Sequence, residues 1–196
     1  MRTFQTCYDA DGNAFEWGKD GMAHISKYSR AADGLKMKIS EAKEEGKSTK
    51  SFRKALCRLN QRVHNKIDDM HKKLSTWLCD NYRVILIPEF KVQGMIDKKK
   101  RKICSKTARE MCTWAHFRFR QRLIQKAELY PWCPWCKVIV CDEHYTSKTC
   151  GACGVLHPTR HFIVPRVTNY IADRDISAAR NILLRYLTRE NIKWRG

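Results

Sequence analysis

The chain has 196 residues, with 39 Lys and Arg against 20 Asp and Glu, a formal net charge of +19. A hydrophobic fraction of 43% with only 9 Gly and 5 Pro supports a real core and excludes a disordered basic tail, while the charge directs the protein toward polyanions. No apolar run approaches the ~20 residues of a membrane span, and Met1-Arg2-Thr3-Phe4 opens no apolar signal segment, so a cytoplasmic or nuclear rather than secreted protein is expected. Thr3–Tyr8 and Ala14–Gly18, separated by Asp11-Gly12-Asn13, predict a β-hairpin, because that turn supplies the positive-φ residues a tight reversal needs. A short helix over 34–45 and the Gly46-Lys47-Ser48 break precede a stripe of Phe52, Leu56, Leu59, Val63, Ile67, Met70, Leu74 and Trp77. Its steps of three or four predict one long amphipathic helix lying on a core, with a coiled-coil seam as the other reading. Val84-Ile85-Leu86-Ile87 predicts a strand buried on both faces and ended by Pro88, followed by a polar loop over 91–106. A single helix from Thr107 to about Tyr130, a second buried strand over 137–143, a loop-rich excursion beginning at Cys150 and a helix over 175–189 complete the chain. The order describes an α/β protein with a mixed sheet flanked by helices, antiparallel at the start and parallel where helices cross over.

Two acidic positions stand out. Glu89 follows an apolar strand directly, where α/β sheets present functional groups to a crevice. Asp173-Arg174-Asp175 opens the last helix; a cap explains one Asp, but two acids in so basic a chain suggest hard oxygen ligands for Mg²⁺. Lys98-Lys99-Lys100-Arg101-Lys102 reads as a solvated loop, a set of phosphate contacts or a nuclear-localisation-like cluster, and these readings stay open. Trp114, His116, Phe117 and Phe119 alternate with Arg118, Arg120 and Arg122, a pattern able to stack bases while holding phosphates, although half of those aromatics should belong to the core.

Ten cysteines in a reducing compartment are thiols or metal ligands before disulfides. Cys150-Gly151-Ala152-Cys153-Gly154 looks like one knuckle of a zinc site, which needs a second pair. Cys133 and Cys136 lie upstream, but the strand read between the pairs carries them apart; His157 and His161 are the other candidates and leave little room for ordinary finger geometry.

Taken together, Arg2-Thr3-Phe4, Ile87-Pro88-Glu89-Phe90, Glu143-His144-Tyr145-Thr146-Ser147-Lys148-Thr149-Cys150-Gly151-Ala152-Cys153-Gly154 and Asp173-Arg174-Asp175-Ile176-Ser177-Ala178-Ala179-Arg180-Asn181-Ile182-Leu183 resemble the C-terminal part of TnpB/OrfB-type transposases and their Fanzor relatives. The resemblance implies a RuvC-like nuclease of RNase H-like fold, a small zinc-ribbon insertion, a DNA target, a guide RNA and Mg²⁺ held by three acids. Glu89 would be the second acid and Asp175 the third, with Asp173 adjacent; Cys150 and Cys153 would be the first zinc knuckle. The implied organisation is a truncated RuvC-like core over 1–149, a degenerate ribbon over 150–172 and a last segment over 173–196. Two departures follow. The family carries its first catalytic Asp on a strand before the Arg-Thr-Phe segment, whereas this chain starts at Met1, so that strand and its Asp are expected to be missing and cutting by the chain alone is not expected. The second knuckle is replaced by Val164-Pro165-Arg166-Val167, which offers no thiolate, so a weak Zn²⁺ site or none is expected. The alternative function is a non-catalytic DNA- or RNA-binding protein acting through its basic surface.

Overall fold

The computed structural model describes residues 3–19, 21–90, 92–97, 101–129, 136–150, 154, 156 and 173–193. β1 (Gln5–Tyr8) and β2 (Ala14–Trp17) form the expected antiparallel hairpin, with Thr6 opposite Glu16 and Gly12 at φ 91° in the turn. Asp9 closes that turn by accepting from the Asn13 backbone N–H at 2.7 Å. Gly18, at φ 70°, ends the hairpin where a Cβ would stand 2.8 Å from the Phe4 Cβ and 2.9 Å from the Met70 Sδ, so only glycine fits.

α1 (Gly21–Glu44) begins well before the predicted start, because its buried side chains, Ile25, Ala32 and Ala42, are too sparse and small to form a legible stripe. It ends in a Schellman motif: Gly46 takes φ 68°, its N–H reaches the Lys43 carbonyl at 3.2 Å, and the Lys47 N–H reaches that of Ala42 at 2.7 Å. α2 (Lys50–Asn81) is the long helix the stripe predicts. Its fully buried positions, Ile67, His71, Leu74, Ser75, Leu78 and Cys79, all lie in the second half, and α1 and α2 pack on one another as a hairpin.

The apolar run yields β3 (Val84–Pro88), but the expectation of burial on both faces is not met: Ile85 and Ile87 are buried and Val84 is 51% exposed. α3 (Val92–Ile96) occupies part of the predicted loop. The helix predicted from Thr107 to Tyr130 is two, α4 (Ser105–Trp114) and α5 (His116–Leu129), broken at Ala115 in the left-handed conformation. Neither Gly nor Pro marks the break, and a left-handed alanine costs roughly 1–2 kcal/mol. The break is supported from outside: His71 Nε2–H donates to the Trp114 carbonyl at 3.0 Å, capping an oxygen that the interrupted helix leaves without its usual partner. It also lets Trp114 and Phe119, one from each helix, both be buried, at about 1.5–3 kcal/mol for each large apolar side chain.

β4 (Lys137–Cys141) pairs parallel with β3, Val84 opposite Lys137 and Pro88 opposite Cys141. It is shorter than predicted and only partly buried. α6 (Arg174–Lys193) closes the fold against β1 and β3. Among the described residues the strands form two separate two-stranded sheets, β1–β2 and β3–β4, and not the single mixed sheet expected from the sequence. The hairpin is fastened to the rest by Phe4, whose ring lies about 5 Å from His71, Trp114, His116 and Phe119. Phe4, Trp114 and Phe119 with Ile25, Ile67, Leu74, Leu78, Ile85, Ile87 and Leu123 make one contiguous core.

Candidate functional site

Because β3 and β4 run parallel, both deliver their C-terminal ends to the same edge, where a crevice forms beyond the strands. Pairing continues one residue past β3: the Glu89 N–H donates to the Cys141 carbonyl at 3.1 Å. The chain then turns sharply through Phe90, at φ 38°, whose ring meets His116 edge-on at 4.7 Å. Two residues after β4 comes Glu143. Asp175 arrives from the first turn of α6. Glu89, Glu143 and Asp175 line one cavity of about 190 Å³, together with His116 and Arg120. Asp173 instead caps the helix, with its Oδ1 accepting from the backbone N–H groups of Asp175 at 2.8 Å and Ile176 at 3.4 Å.

The environment shifts several of these groups. Burial, followed by the nearby Asp142 and Glu89 carboxylates, raises the Glu143 pKa against the opposing effect of His144. Desolvation pushes the His116 pKa down to about 4, so at neutral pH its ring is uncharged, and its buried Nε2 has no hydrogen-bond partner among the described residues. Arg120 donates to the Glu89 carbonyl and lies over the Phe117 ring, 5.3 Å from its centroid.

The cavity wall on the α6 side is latched to the turn after β4. Buried Asn181 donates from Nδ2 to the carbonyls of Thr146 and Thr149, both at 2.8 Å. Arg185 donates to the His144 carbonyl and, at 3.0 Å, to Asp142. The Thr146 hydroxyl folds back on the Glu143 carbonyl at 2.9 Å. These contacts join the two sequence strings around Thr146–Thr149 and Asp173–Leu183, and they fix the backbone on which Glu143 and Asp175 stand.

The basic candidates divide. Arg118 and Arg122 reach Asp68 on α2 at 3.0 and 3.4 Å, holding α5 to α2. Arg101 donates to Ser105 Oγ at 2.7 Å beside the start of α4, and Lys102 is exposed; Lys98, Lys99 and Lys100 lie outside the described residues. Of the interleaved aromatics, Trp114 and Phe119 are core and Phe117 is 63% exposed. Cys150 is buried and its carbonyl accepts the Gly154 N–H at 2.9 Å, whereas Cys153 and all of 157–172 lie outside the described residues. In the sequence Glu143 is the end of a predicted strand and the start of the string that runs to Gly154, with no site role assigned to it, and the signal for that role is its place two residues beyond β4, the strand parallel to β3.

Residues 116–182 match the family described as Cas12f1-like, TNB domain, a span running from α5 through the post-β4 turn into α6. A protein of Paramecium bursaria Chlorella virus 1 described as "Putative transposase" is 29% identical over 97% of this chain and 42% of its own length. A "TnpB-like protein" of Acanthamoeba polyphaga mimivirus is 32% identical over 70% of this chain and 26% of its own length. A "Putative RNA-guided DNA endonuclease" of Streptomyces pristinaespiralis is 27% identical over 74% of this chain and 35% of its own length. The chain is similar to part of these TnpB-type proteins and transposases, and it spans less than half the length of the curated relatives it matches.

The cavity offers carboxylate oxygens, the donor type Mg²⁺ takes, with Glu143 half-buried among them. Among the described residues, however, no group of three or more His, Cys, Asp or Glu is close enough to enclose an ion, so a cation there would depend on water and substrate oxygens for most of its shell. For zinc, Cys150 alone of the implied thiolates falls within the described residues.

Proposed function

We propose that this chain is the nucleic-acid-binding part of a transposon-associated, RNA-guided DNA endonuclease, with Glu89 and Asp175 as metal-holding carboxylates. The observation that carries the reading is the meeting of Glu89, Glu143 and Asp175 on one cavity at the C-terminal edge of two parallel strands. Held there, Mg²⁺ would neutralise phosphate charge and lower the pKa of a bound water. The protein's own groups do the positioning. Arg120, braced by the Glu89 carbonyl and by Phe117, offers a guanidinium at the cavity wall for a phosphate oxygen, and exposed Phe117 offers a face for a base. Asp173 holds the first turn of α6, and with it Asp175, by capping. In this reading the chain binds DNA, with guide RNA as the further partner. Binding carried by the basic surface alone is the competing reading, and the +19 charge favours it.

The test is anisotropy titration of fluorescent DNA with and without Mg²⁺. The proposal expects Mg²⁺ to tighten binding severalfold, and both Glu89→Ala and Asp175→Ala to remove that increment while leaving the metal-free affinity within about twofold. An equal increment in the variants, or none in the parent, overturns the assignment of these acids.

A further inference from the structure

Two core cysteines meet where α2 ends and β4 begins. The chain leaves α2 at Asn81 and enters β3 at Val84, and Lys137, the first residue of β4, pairs opposite Val84. The Lys137 N–H also donates to the Arg83 carbonyl at 2.7 Å, so the residue before β4 comes in over the end of α2. That residue is Cys136, and Cys79 stands on the last turn of α2. Both belong to the same buried core cluster, and their thiols share a hydrogen bond. Burial first, and then the Cys136 thiol, pushes the Cys79 pKa up to about 12, with Lys126 acting in the opposite sense. Cys79 at rest is therefore a protonated thiol held against a second sulfur.

Packing alone asks only for small apolar side chains here, whereas two sulfurs in contact allow a bond to form between them. We propose that Cys79 and Cys136 are a redox modification site, at which hydrogen peroxide joins the two sulfurs and fastens the end of α2 to the start of β4. Cys136 keeps 9% of its surface exposed and Cys79 none, so Cys136 meets the oxidant. Its sulfur attacks one peroxide oxygen and the O–O bond breaks; Cys136 becomes a sulfenic acid, and the other oxygen leaves with the thiol proton as water. The Cys79 sulfur then attacks the Cys136 sulfur, the S–O bond breaks, and the Cys79 proton leaves with that oxygen as a second water. Two thiols are oxidised to one disulfide, and one peroxide is reduced to two waters. A site this enclosed favours a peroxide over a bulky disulfide oxidant. The new bond draws the sulfurs to about 2 Å and closes a covalent ring through β3, α4 and α5, which restricts the unfolded chain. Among the described residues β4 has β3 as its one strand neighbour and is only partly buried, so it is the strand that a tether steadies most. Two residues beyond it stands Glu143 at the acidic cavity.

The inference rests on two sulfurs and not on the nuclease reading, and its test needs no nucleic acid. The reduced 196-residue chain is treated at low concentration with hydrogen peroxide, alkylated in denaturant, and mapped by proteolysis and mass spectrometry. The expected product is a monomer whose Cys79 and Cys136 peptides are linked with the loss of two hydrogens and released by dithiothreitol. Its thermal midpoint should lie about 5 °C or more above that of the reduced chain, and amide exchange over 137–141 should slow. Cys136→Ser, given the same treatment, should show neither change, which separates this bond from oxidation of the exposed Cys57, Cys104 and Cys112. In Cys79→Ala, oxidation of Cys136 should stop at the sulfenic acid and be trapped by dimedone. Recovery of Cys79 as a free thiol from the peroxide-treated chain, a bond from Cys136 to Cys133 instead, or a linked chain no more stable than the reduced one overturns the proposal.

Discussion

At the scale of single residues, Glu143 and His116 face the same cavity and bias stability in opposite directions with pH. Burial and neighbouring carboxylates raise the Glu143 pKa above its unfolded value, so its favourable contribution is present at low pH and is lost as pH rises through the folded pKa. Glu143→Gln removes an ionised carboxylate from that setting and should raise the melting temperature at neutral pH, with the gain disappearing on acidification. His116 and His71 do the reverse. Burial lowers each from 6.5 to about 4, so the unfolded chain takes up protons first, and stability is lost as pH falls from about 6.5 toward 4. His116→Phe keeps the stack on Phe4 and eliminates a buried nitrogen that has no partner among the described residues. It should stabilise the fold by about 1–3 kcal/mol and flatten the acid limb, both read from urea melts across pH.

Between elements, the latch of α6 on the post-β4 turn is the contact that sets the cavity's width. Asn181→Leu, close in shape, deletes two hydrogen bonds and leaves the Thr146 and Thr149 carbonyls short of donors. A loss of about 1–3 kcal/mol is expected, with faster hydrogen exchange concentrated in 144–149 and not in α2. The α4–α5 break belongs to the same scale. It is held by His71 from a helix distant in sequence, and it turns α5 so that Arg118 and Arg122 meet Asp68 while Arg120 faces the cavity.

For the molecule as a whole, the +19 charge is the dominant long-range property. It remains after 20 Asp and Glu have been subtracted, and several of those acids are engaged by arginines, as Asp33 is by Arg109, Asp68 by Arg118 and Asp142 by Arg185. Nucleic-acid affinity should therefore fall linearly on a log–log plot against salt, by at least about tenfold between roughly 50 and 200 mM. Arg120→Gln, which removes one positive charge, should weaken binding with a smaller salt slope, as expected for one lost phosphate contact. No helix among the described residues is long and apolar enough to cross a membrane.

Local signals in the sequence determined the hairpin, the long α2, the two apolar strands, the closing helix and the polyanion-seeking charge, because turn chemistry, side-chain period and ionisation act over a few residues at a time. They also marked Glu89 and Asp175 as acids at the ends of elements. Only the tertiary structure decided that the strands form two separate pairs, that Ala115 breaks a helix without Gly or Pro, and that Asp173 is a cap. It alone brought Glu143 to the same cavity as Glu89 and Asp175, since the parallel register of β3 with β4 joins residues more than fifty positions apart. Which edges stay unpaired and which charged groups lose water depend on the packing of distant segments, and no short window of sequence carries that information.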